Sequence, residues 1–541
     1  MSSVLILLLL LPLVGAVVVA CLGSKRVAMV RNVSLLTAII GLMLGICLAV
    51  GLTSDQETHA HEGASTFLPE YVPGATSEEG ENRHQTTWDL FTLSKEKEST
   101  QGSIQFYLGV DGINIWMIVL TTFLMIPCIL VSWHQVTERV NEFYAWLLFL
   151  QTTMLGIFMA FDIILFYVFF ELSLIPLFFL IGIWGGPERQ YAAKKFLIFT
   201  LVGSLIALLG IIGIVLACAE QSRLTFSIPE LIRIVGEGGI SWKVPFRVFL
   251  ALTVGFAIKL PFVPVHTWLP LAHTEAPTAG SVVLAGVLLK VGAYGFIRLC
   301  IPLAPDVSLS LGLPLLSTLA VIGIIYGALC AYAQTDIKKL IAYSSVSHLG
   351  MCMLGIFALN ETGIAGGMMV MINHGLSTAG LFLIIGMIYE RYHTRKMSDY
   401  GGMSSKLPLL GAFMVFICLT SVGLPGLNGF IGEVLVLFGV MNQQLKLGEF
   451  PTYAVLGSFG IVLGAWYLFT MLKKVFFGEL KEPAIHGEHE PVKDLKGREA
   501  WAIVPLSVLC LVIGFFPQPL LKTMKPDVKI VSGIIDKARN K

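Results

Sequence analysis

Charged side chains are scarce in this sequence. Aspartate, glutamate, lysine and arginine make up 13% of its 541 residues, whereas soluble domains carry about 25%. Hydrophobic residues account for 55%, so the composition predicts a membrane protein. The formal net charge of +1 argues against nucleic acid as a partner, because nucleic-acid-binding domains carry a clear excess of basic residues.

Cysteine motifs are missing as well. The nine cysteines stand singly, and no CxxC or CxxCH spacing occurs. The sequence therefore indicates no iron–sulfur cluster, structural zinc site or c-type haem, and we interpret the cysteines as small packing residues. One HxH pair, His59 and His61, lies in a polar stretch, where we expect the histidines to be solvated rather than bound to a metal.

Long apolar runs are abundant, and about 14 of them can cross a bilayer as helices. They lie near 4–22, 29–52, 112–132, 142–160, 162–184, 194–218, 246–270, 276–300, 311–333, 336–358, 364–390, 407–440, 454–477 and 500–521. KLPFVP interrupts the seventh, and SVGLPGLNGFIGE, from Ser421 to Glu433, interrupts the twelfth. Such breaks in separate halves of a transporter-like chain indicate an ion or substrate site. The sequence thus predicts an all-α polytopic membrane protein.

The basic loops predict the orientation. No basic residue precedes the first apolar run, so we interpret it as a retained helix rather than a signal peptide. Basic residues cluster on one side of an even-numbered topology: Lys25, Arg26, Arg31, Arg189, Lys194, Lys195, Lys338, Lys339, Arg391, Arg395, Lys396 and the loop from Lys473 to Arg498. Because positive loops face the cytoplasm, both termini are predicted on the outer (periplasmic) side. The basic tail, with Lys522, Lys525 and Lys529, and the stretch from Arg223 to Arg247 are exceptions to this pattern.

Six ionisable residues of the predicted helices form a candidate set, five of them well away from the likely helix ends and one near the start of the tenth helix. They are Glu171, Lys259, Lys290, His348, His374 and Glu433. A charge at the centre of a bilayer costs about 3 kcal/mol, and taken singly each residue could form a structural ion pair or hydrogen bond. As a set they have the composition of a proton relay, because a buried lysine can release its proton and histidine exchanges protons near neutral pH.

Five stretches resemble the motifs of one known family. They are LGVDGIN (Leu108–Asn114), FFELSLIPLF (Phe169–Phe178), KLPFVPVHTWLP with AHTEAPTAGSVVLAGVLLK (Lys259–Lys290), DIKKLIAYSSVSHLG (Asp336–Gly350) and LPGLNGFIGE (Leu424–Glu433). On these motifs, and over nearly its whole length, the chain closely resembles the antiporter-like subunits of respiratory complex I (NADH:quinone oxidoreductase). It is most similar to their M-type branch, called subunit 4 in mitochondria and plastids.

The resemblance implies 14 transmembrane helices with two inverted five-helix repeats, each containing one discontinuous helix. The expected divisions are two helices in 1–52, an acidic extramembrane loop at 53–108, a third helix in 109–141, repeats at 142–300 and 311–477, and a last helix with a short tail at 500–541. By the same resemblance, Glu171 and Lys259 match an essential ion pair and Lys290 a central lysine. His348 and His374 match relay histidines, and Glu433 matches the terminal group of the proton path.

A subunit of this kind translocates protons while other subunits pass electrons from NADH to quinone, and it holds no cofactor itself. NADH, FMN, iron–sulfur clusters and quinone are then expected in partner subunits. The expected direct partners are other membrane subunits of complex I, especially neighbouring antiporter-like ones, in a bacterial or organellar inner membrane. Glu433, where related subunits usually carry lysine, and the short tail both favour the M type.

Two departures and two alternatives accompany this resemblance. Leu271 stands where the family usually has aspartate after WLP, so this chain lacks that acid, and the 53–108 loop is longer and more acidic than expected.

The first alternative is a subunit of a multi-subunit Na⁺/H⁺ antiporter or a membrane-bound hydrogenase, which use the same module. The second is a membrane cytochrome with haem on His348 and His374; the remaining histidines lie near loops, which disfavours it.

The orientation can be tested with reporter fusions. A reporter in the loop from Lys473 to Arg498 should be cytoplasmic, and one in the loop from Thr53 to Leu108 should be external, because the first loop belongs to the basic side. Activity of paired reporters, one active only inside the cell and one only outside, measures this. Reversed signals would overturn the topology.

Overall fold

The described residues fold mostly as helices. The computed structural model describes residues 1–55, 64–75, 84–93, 102–221, 224–442, 452–483 and 492–540. Its helices are α1 Ser2–Leu22, α2 Val27–Asp55, α3 Ile115–Gln135, α4 Val140–Met159, α5 Ile163–Leu172, α6 Leu174–Trp184, α7 Arg189–Gln221, α8 Ile228–Glu237, α9 Lys243–Lys259, α10 Trp268–Glu275, α11 Thr278–Leu303, α12 Pro305–Tyr332, α13 Ile337–Ile356, α14 Glu361–Tyr392, α15 Pro408–Val422, α16 Asn428–Asn442, α17 Thr452–Val475, α18 Arg498–Phe515 and α19 Gln518–Arg539.

These helices make up a polytopic membrane fold, as predicted. Among the described residues, 11 spans are long and apolar enough to cross a membrane, α5 and α6 together forming one of them. Helix α13 and the broken pairs α9–α10 and α15–α16 complete the set of 14 passes. Consecutive passes run in opposite directions. We call the end that holds Lys338 and Arg395 the basic end, and the end that holds residues 102–114 and α19 the opposite end.

Two groups of five passes have inverted orientations. The first runs from α4 to α11 and the second from α12 to α17. Asp162 caps α5 at the opposite end, where its side chain accepts hydrogen bonds from the backbone N–H groups of Ile164 and Leu165. Asp336 caps α13 at the basic end in the same way. An aspartate at this position satisfies backbone donors that a helix start leaves unpaired.

Each group contains one broken pass. Helix α9 ends at Lys259, and α10 begins only at Trp268; the prolines between them lack the N–H that a continuing helix needs. Helix α15 ends at Gly423, which adopts a left-handed φ of 79°. Glycine takes this conformation without a steric penalty and closes the helix. The breaks predicted from KLPFVP and SVGLPGLNGFIGE are thus present, and each lies beside an ionisable residue.

Helices α11 and α14 form the centre of the molecule. The most apolar window of each is completely buried. Helix α11 is also irregular, since it contains π-helical turns at Leu284–Leu288 and Phe296–Cys300. Such turns leave carbonyl groups free for side chains and are frequent at functional sites. Lys290 lies between the two turns.

The extramembrane segment before α3 is partly ordered. Strands β1 Asp89–Leu93 and β2 Gly102–Gln105 pair antiparallel, and Glu70 bridges to Val110. The acidic residues of the predicted loop and the HxH pair lie outside the described residues: Glu57, Glu62, Glu78, Glu79, Glu81, His59 and His61. The described parts of this segment therefore pack on the opposite end, which composition did not predict.

The tail after the last pass is a helix of its own. Helix α18 ends at Phe515, and α19 runs from Gln518 to Arg539 across the opposite end. Its apolar face is buried, whereas Lys522, Lys525 and Lys529 are exposed. The carboxylate of Asp527 accepts a hydrogen bond of 2.8 Å from the N–H of Gly112. An added Cβ at Gly112 would lie 2.1 Å from the carbonyl oxygen of Thr523, so the two segments are in backbone contact.

Replacing Gly112 with alanine should therefore loosen α19. The methyl group has no room against rigid backbone, and overpacking of this kind typically costs 1–3 kcal/mol, here roughly 2 kcal/mol. Trypsin should then cleave after Lys522 and Lys529 faster in Gly112→Ala than in the wild type. Gly533→Ala is the matched control, because no atom lies within 4 Å of its added Cβ. Equal cleavage rates in all three proteins would contradict the contact.

Candidate functional site

The six predicted site residues lie on six different helices. They are Glu171 on α5, Lys259 on α9, Lys290 on α11, His348 on α13, His374 on α14 and Glu433 on α16. Four are buried, and Glu171 and His348 are partly accessible. Four of the six form one continuous cluster, and the other two form a separate pair. No contact between described residues joins the pair to the cluster directly.

The separate pair is Glu171 and Lys259. Lys259 is the last residue of α9, at the break, and its ammonium lies 4.5 Å from the centroid of the Phe170 ring, an attractive cation–π geometry. Phe170 precedes Glu171 in α5, so the ammonium lies beside the turn that carries the carboxylate. Neither Lys259 Nζ nor Glu171 Oε1 has a hydrogen-bond partner among the described residues. The structure thus brings the two groups near each other without a direct hydrogen-bonded ion pair.

Lys290 is in direct contact with His374. The Nζ atom lies 2.7 Å from His374 Nδ1 and 2.5 Å from the carbonyl oxygen of Ala285. Ala285 belongs to the first π-helical turn of α11, so the turn provides the acceptor for one ammonium proton. An imidazole nitrogen can accept from a lysine only when it carries no proton. This contact therefore fixes His374 as the neutral form with its proton on Nε2 whenever Lys290 is charged.

His374 also contacts a second histidine. The ring centroids of His348 and His374 are 5.6 Å apart. His348 Nε2 lies 3.4 Å from both the Ser421 hydroxyl and the Tyr467 hydroxyl, which are long hydrogen bonds. His374 Nε2 has no partner among the described residues. A polar hydrogen without a partner, inside a buried cluster, is available for transfer.

A small cavity connects these histidines with Glu433. Its volume is about 20 Å³, and one water molecule needs about 10–15 Å³ on the same measure. It is lined by His348, Val370, Asn373, His374, Ser377, Thr420, Ser421, Gly429 and Glu433. Glu433 Oε2 has no hydrogen-bond partner among the described residues, so a single water can bridge it to the imidazoles.

Gly423 makes room for the Glu433 carboxylate. A Cβ added at Gly423 would lie 2.2 Å from Glu433 Oε2. The glycine is therefore required twice, for the left-handed turn that ends α15 and for the space beside the acid. Asn373 of α14 donates a 2.6 Å hydrogen bond to the carbonyl oxygen of Asn428, which holds the start of α16 against α14.

Sequence reasoning missed His273. The imidazole is completely buried, it stacks on Phe382 with ring centroids 4.7 Å apart, and neither ring nitrogen has a hydrogen-bond partner among the described residues. The available signal was a histidine in an apolar helix directly after the first break. It lies within the stretch AHTEAP, which served in the sequence only as part of a family motif.

A larger cavity opens at the basic end, below His273. Its volume is about 290 Å³, and its walls include Thr274, Glu275, Lys338 and Arg395. Lys338 donates to the carbonyl oxygen of Ala276 at 2.5 Å. Glu275 accepts a hydrogen bond from the backbone N–H of Glu188. A charged cavity of this size holds several waters, because each occupies about 30 Å³ in the liquid.

Comparisons with known proteins agree on one family. The family described as "NADH:quinone oxidoreductase/Mrp antiporter, TM" matches residues 160–450. NADH-quinone oxidoreductase subunit M of Rhodobacter capsulatus is 41% identical over 433 residues, which cover 79% of this chain and 81% of that protein. NADH-ubiquinone oxidoreductase chain 4 of Chondrus crispus is 36% identical over 524 residues, 96% of this chain and 95% of that one.

A solved structure supports the same assignment. A chain in the structure of respiratory complex I from Thermus thermophilus with bound NADH is 30% identical, with a TM-score of 0.79, and the match covers 98% of this chain and 99% of that one. The match spans both inverted groups of helices and both broken passes. The chain therefore belongs to the family of membrane subunits that NADH:quinone oxidoreductases share with Mrp antiporters.

Proposed function

We propose that this chain is the proton-translocating M-type subunit of an NADH:quinone oxidoreductase in a bacterial or organellar inner membrane. It holds no redox cofactor; NADH, FMN, iron–sulfur clusters and quinone belong to other subunits of the complex. Its direct partners are other membrane subunits, above all antiporter-like ones. The observation that carries the proposal is the 2.7 Å contact between Lys290 Nζ and His374 Nδ1 inside the buried core.

Glu171 and Lys259, the pair at the first break, form a switch that controls the charge felt by Lys290. While Glu171 is charged and near, it stabilises the charged form of Lys259. If the carboxylate moves away, the ammonium loses that stabilisation and shifts towards Lys290. Two unit charges about 10 Å apart repel by ~1.7 kcal/mol at an effective dielectric constant of about 20. A repulsion of this size changes a proton-transfer equilibrium by roughly tenfold or more.

The contact between Lys290 and His374 carries the proton onward. Under that repulsion Lys290 passes a proton to His374 Nδ1. The imidazole then holds protons on both nitrogens and releases the one on Nε2, so the proton leaves from the side opposite to its arrival. Histidine suits this step because its charged and neutral forms differ little in free energy near neutral pH.

Glu433 receives the proton through the small cavity. One water between His374 and Glu433 suffices for the transfer, and His348 with the hydroxyls of Ser421 and Tyr467 offers a second set of polar groups along the same wall. Beyond Glu433, α16 leads to the opposite end, which is the outer side in the predicted topology. Reloading of Lys290 comes from the basic end, where the larger cavity and His273 lie.

The first functional prediction concerns the pair at the break. Lys259→Ala and Glu171→Ala should each reduce redox-coupled proton pumping at least roughly tenfold while the complex still assembles, because each leaves the switch with one charge. Glu171→Asp keeps the charge and should be milder. Pumping is measured as proton uptake per NADH oxidised in inverted membrane vesicles.

Lys243→Ala is the matched control for this prediction. Lys243 lies on the same helix as Lys259, but it is exposed at the opposite end. Its loss should leave the stoichiometry unchanged. A normal proton-to-electron ratio in both Lys259→Ala and Glu171→Ala would rule out the switch.

The second functional prediction separates a relay from a structural cation at Lys290. Arginine keeps a positive charge but does not release its proton in proteins. Lys290→Arg should therefore pump almost as poorly as Lys290→Ala, with assembly measured alongside. A purely structural cation predicts the reverse, namely that arginine restores pumping and alanine does not. Pumping at the wild-type rate in Lys290→Arg would show that Lys290 is not the relay.

A further inference from the structure

A second polar path leads away from Lys290, along α11 itself. Lys290, Tyr294 and Arg298 are four residues apart and are all completely buried, so they follow one another along one face of the helix. Lys290 and Arg298 are eight residues apart, which corresponds to about 12 Å along a helix. Arg298 is the one of the two that lies nearer the opposite end. A proton that followed this path would bypass His374 and Glu433.

Arg298 ends this path in a rigid ion pair. Its two terminal nitrogens bind the two carboxylate oxygens of Asp111 at 2.6 and 2.7 Å. The guanidinium also lies 4.3 Å from the centroid of the Phe67 ring and 4.7 Å from that of the Phe161 ring. Aromatic faces attract the cation and fill the space that water would need. Both charged side chains are nearly inaccessible, at 0% and 2%.

The remaining polar groups around Arg298 are also paired. Arg298 Nε donates to the Tyr294 hydroxyl at 3.1 Å, and that hydroxyl donates to the carbonyl oxygen of Phe158 at 3.0 Å. Asp111 Oδ1 accepts further hydrogen bonds from the N–H groups of Ile113 and Asn114. This arrangement contrasts with the relay, where Lys259, His374 and Glu433 each have an atom without a partner among the described residues.

Helix α19 covers the ion pair. Asp527 reaches from α19 to the N–H of Gly112, next to Asp111. Burial, with the neighbouring carboxylate of Asp111, raises the pKa of Asp527 well above its usual range. Asp527 is itself buried, so α19 shields the ion pair from water at this end.

We propose that the Arg298–Asp111 pair is a seal that prevents protons on Lys290 from leaking along α11 to the opposite end. A guanidinium has five donors and no acceptor, and it keeps its proton in proteins, so it cannot take over a proton from the Tyr294 side. The proton on Lys290 is left with His374 as its acceptor. This inference rests on the relay role proposed for Lys290, and it gives the motif LGVDGIN, which contains Asp111, a function.

The test measures passive proton leak, with no NADH present. The whole complex is reconstituted in vesicles, and the decay of an imposed pH gradient is followed with a pH-sensitive dye. Arg298→Gln has a similar length, but its amide both donates and accepts. The leak should rise roughly tenfold, equivalent to a barrier lower by about 1.4 kcal/mol. In Arg298→Gln combined with Lys290→Met, the leak should return to the wild-type value.

Arg233→Gln is the matched control. Arg233 lies on α8, also at the opposite end, but it is exposed and pairs with Glu230 and Glu237 on its own helix. It should leave the vesicles tight. A tight Arg298→Gln complex would overturn the seal, and so would a leak that persists when Lys290 is also replaced.

A second variant keeps the test decisive if the Arg298→Gln complex assembles poorly. Arg298→Lys keeps the charge opposite Asp111, but an ammonium can release its proton, so the seal predicts a leak here too. A tight Arg298→Lys complex, or failure of both variants to assemble, would assign the pair a structural role instead. Failure of the relay itself is recognised separately, because Lys290→Met would then pump normally.

Discussion

The contact between Lys290 and His374 is the constraint on which the rest of the structure depends. It joins the buried central parts of α11 and α14 across 84 residues of sequence. A lysine there must either be neutral or have acceptors, because an unpaired charge in such surroundings is expensive. The π-helical turn at Ala285 and the imidazole of His374 are those acceptors. The first π-helical turn of α11 thus provides a carbonyl acceptor for the ammonium group.

The helix breaks solve the complementary problem of giving polar groups space inside a tightly packed bundle. At the first break, the prolines end α9 directly after Lys259, so the ammonium lies at a helix end rather than among close-packed turns. At the second, Gly423 removes the side chain that would collide with Glu433. Non-helical backbone is tolerated at membrane depth only where it is enclosed by protein or lines a cavity. The second break lines the small cavity that lies between Glu433 and the two imidazoles.

Much of this architecture could be predicted from the sequence, because apolar length and proline or glycine breaks are local signals. The fold class, the broken passes and the family were confirmed. The division of the six residues into a pair and a cluster could not be predicted, since it depends on side-chain contacts between helices far apart in sequence. His273 was missed for the same reason. Helix α19 was predicted only as a short tail, because its polar residues and prolines lower its hydropathy. Its burial depends on packing against the opposite ends of other helices.

The satisfied and unsatisfied polar groups divide the core into two kinds of region. Buried polar atoms normally find partners, so an atom without one implies water or transfer. Such atoms include those of Lys259, His273, His374 and Glu433, which lie between the basic end and the second break. Around Arg298 each guanidinium nitrogen has a hydrogen-bond partner, and aromatic rings lie against the cation. A proton pump needs both conditions at once, because a relay that is open on every side would dissipate the gradient that it builds. Helix α11 meets both needs, with an exchangeable lysine near its middle and a fixed arginine two turns further on.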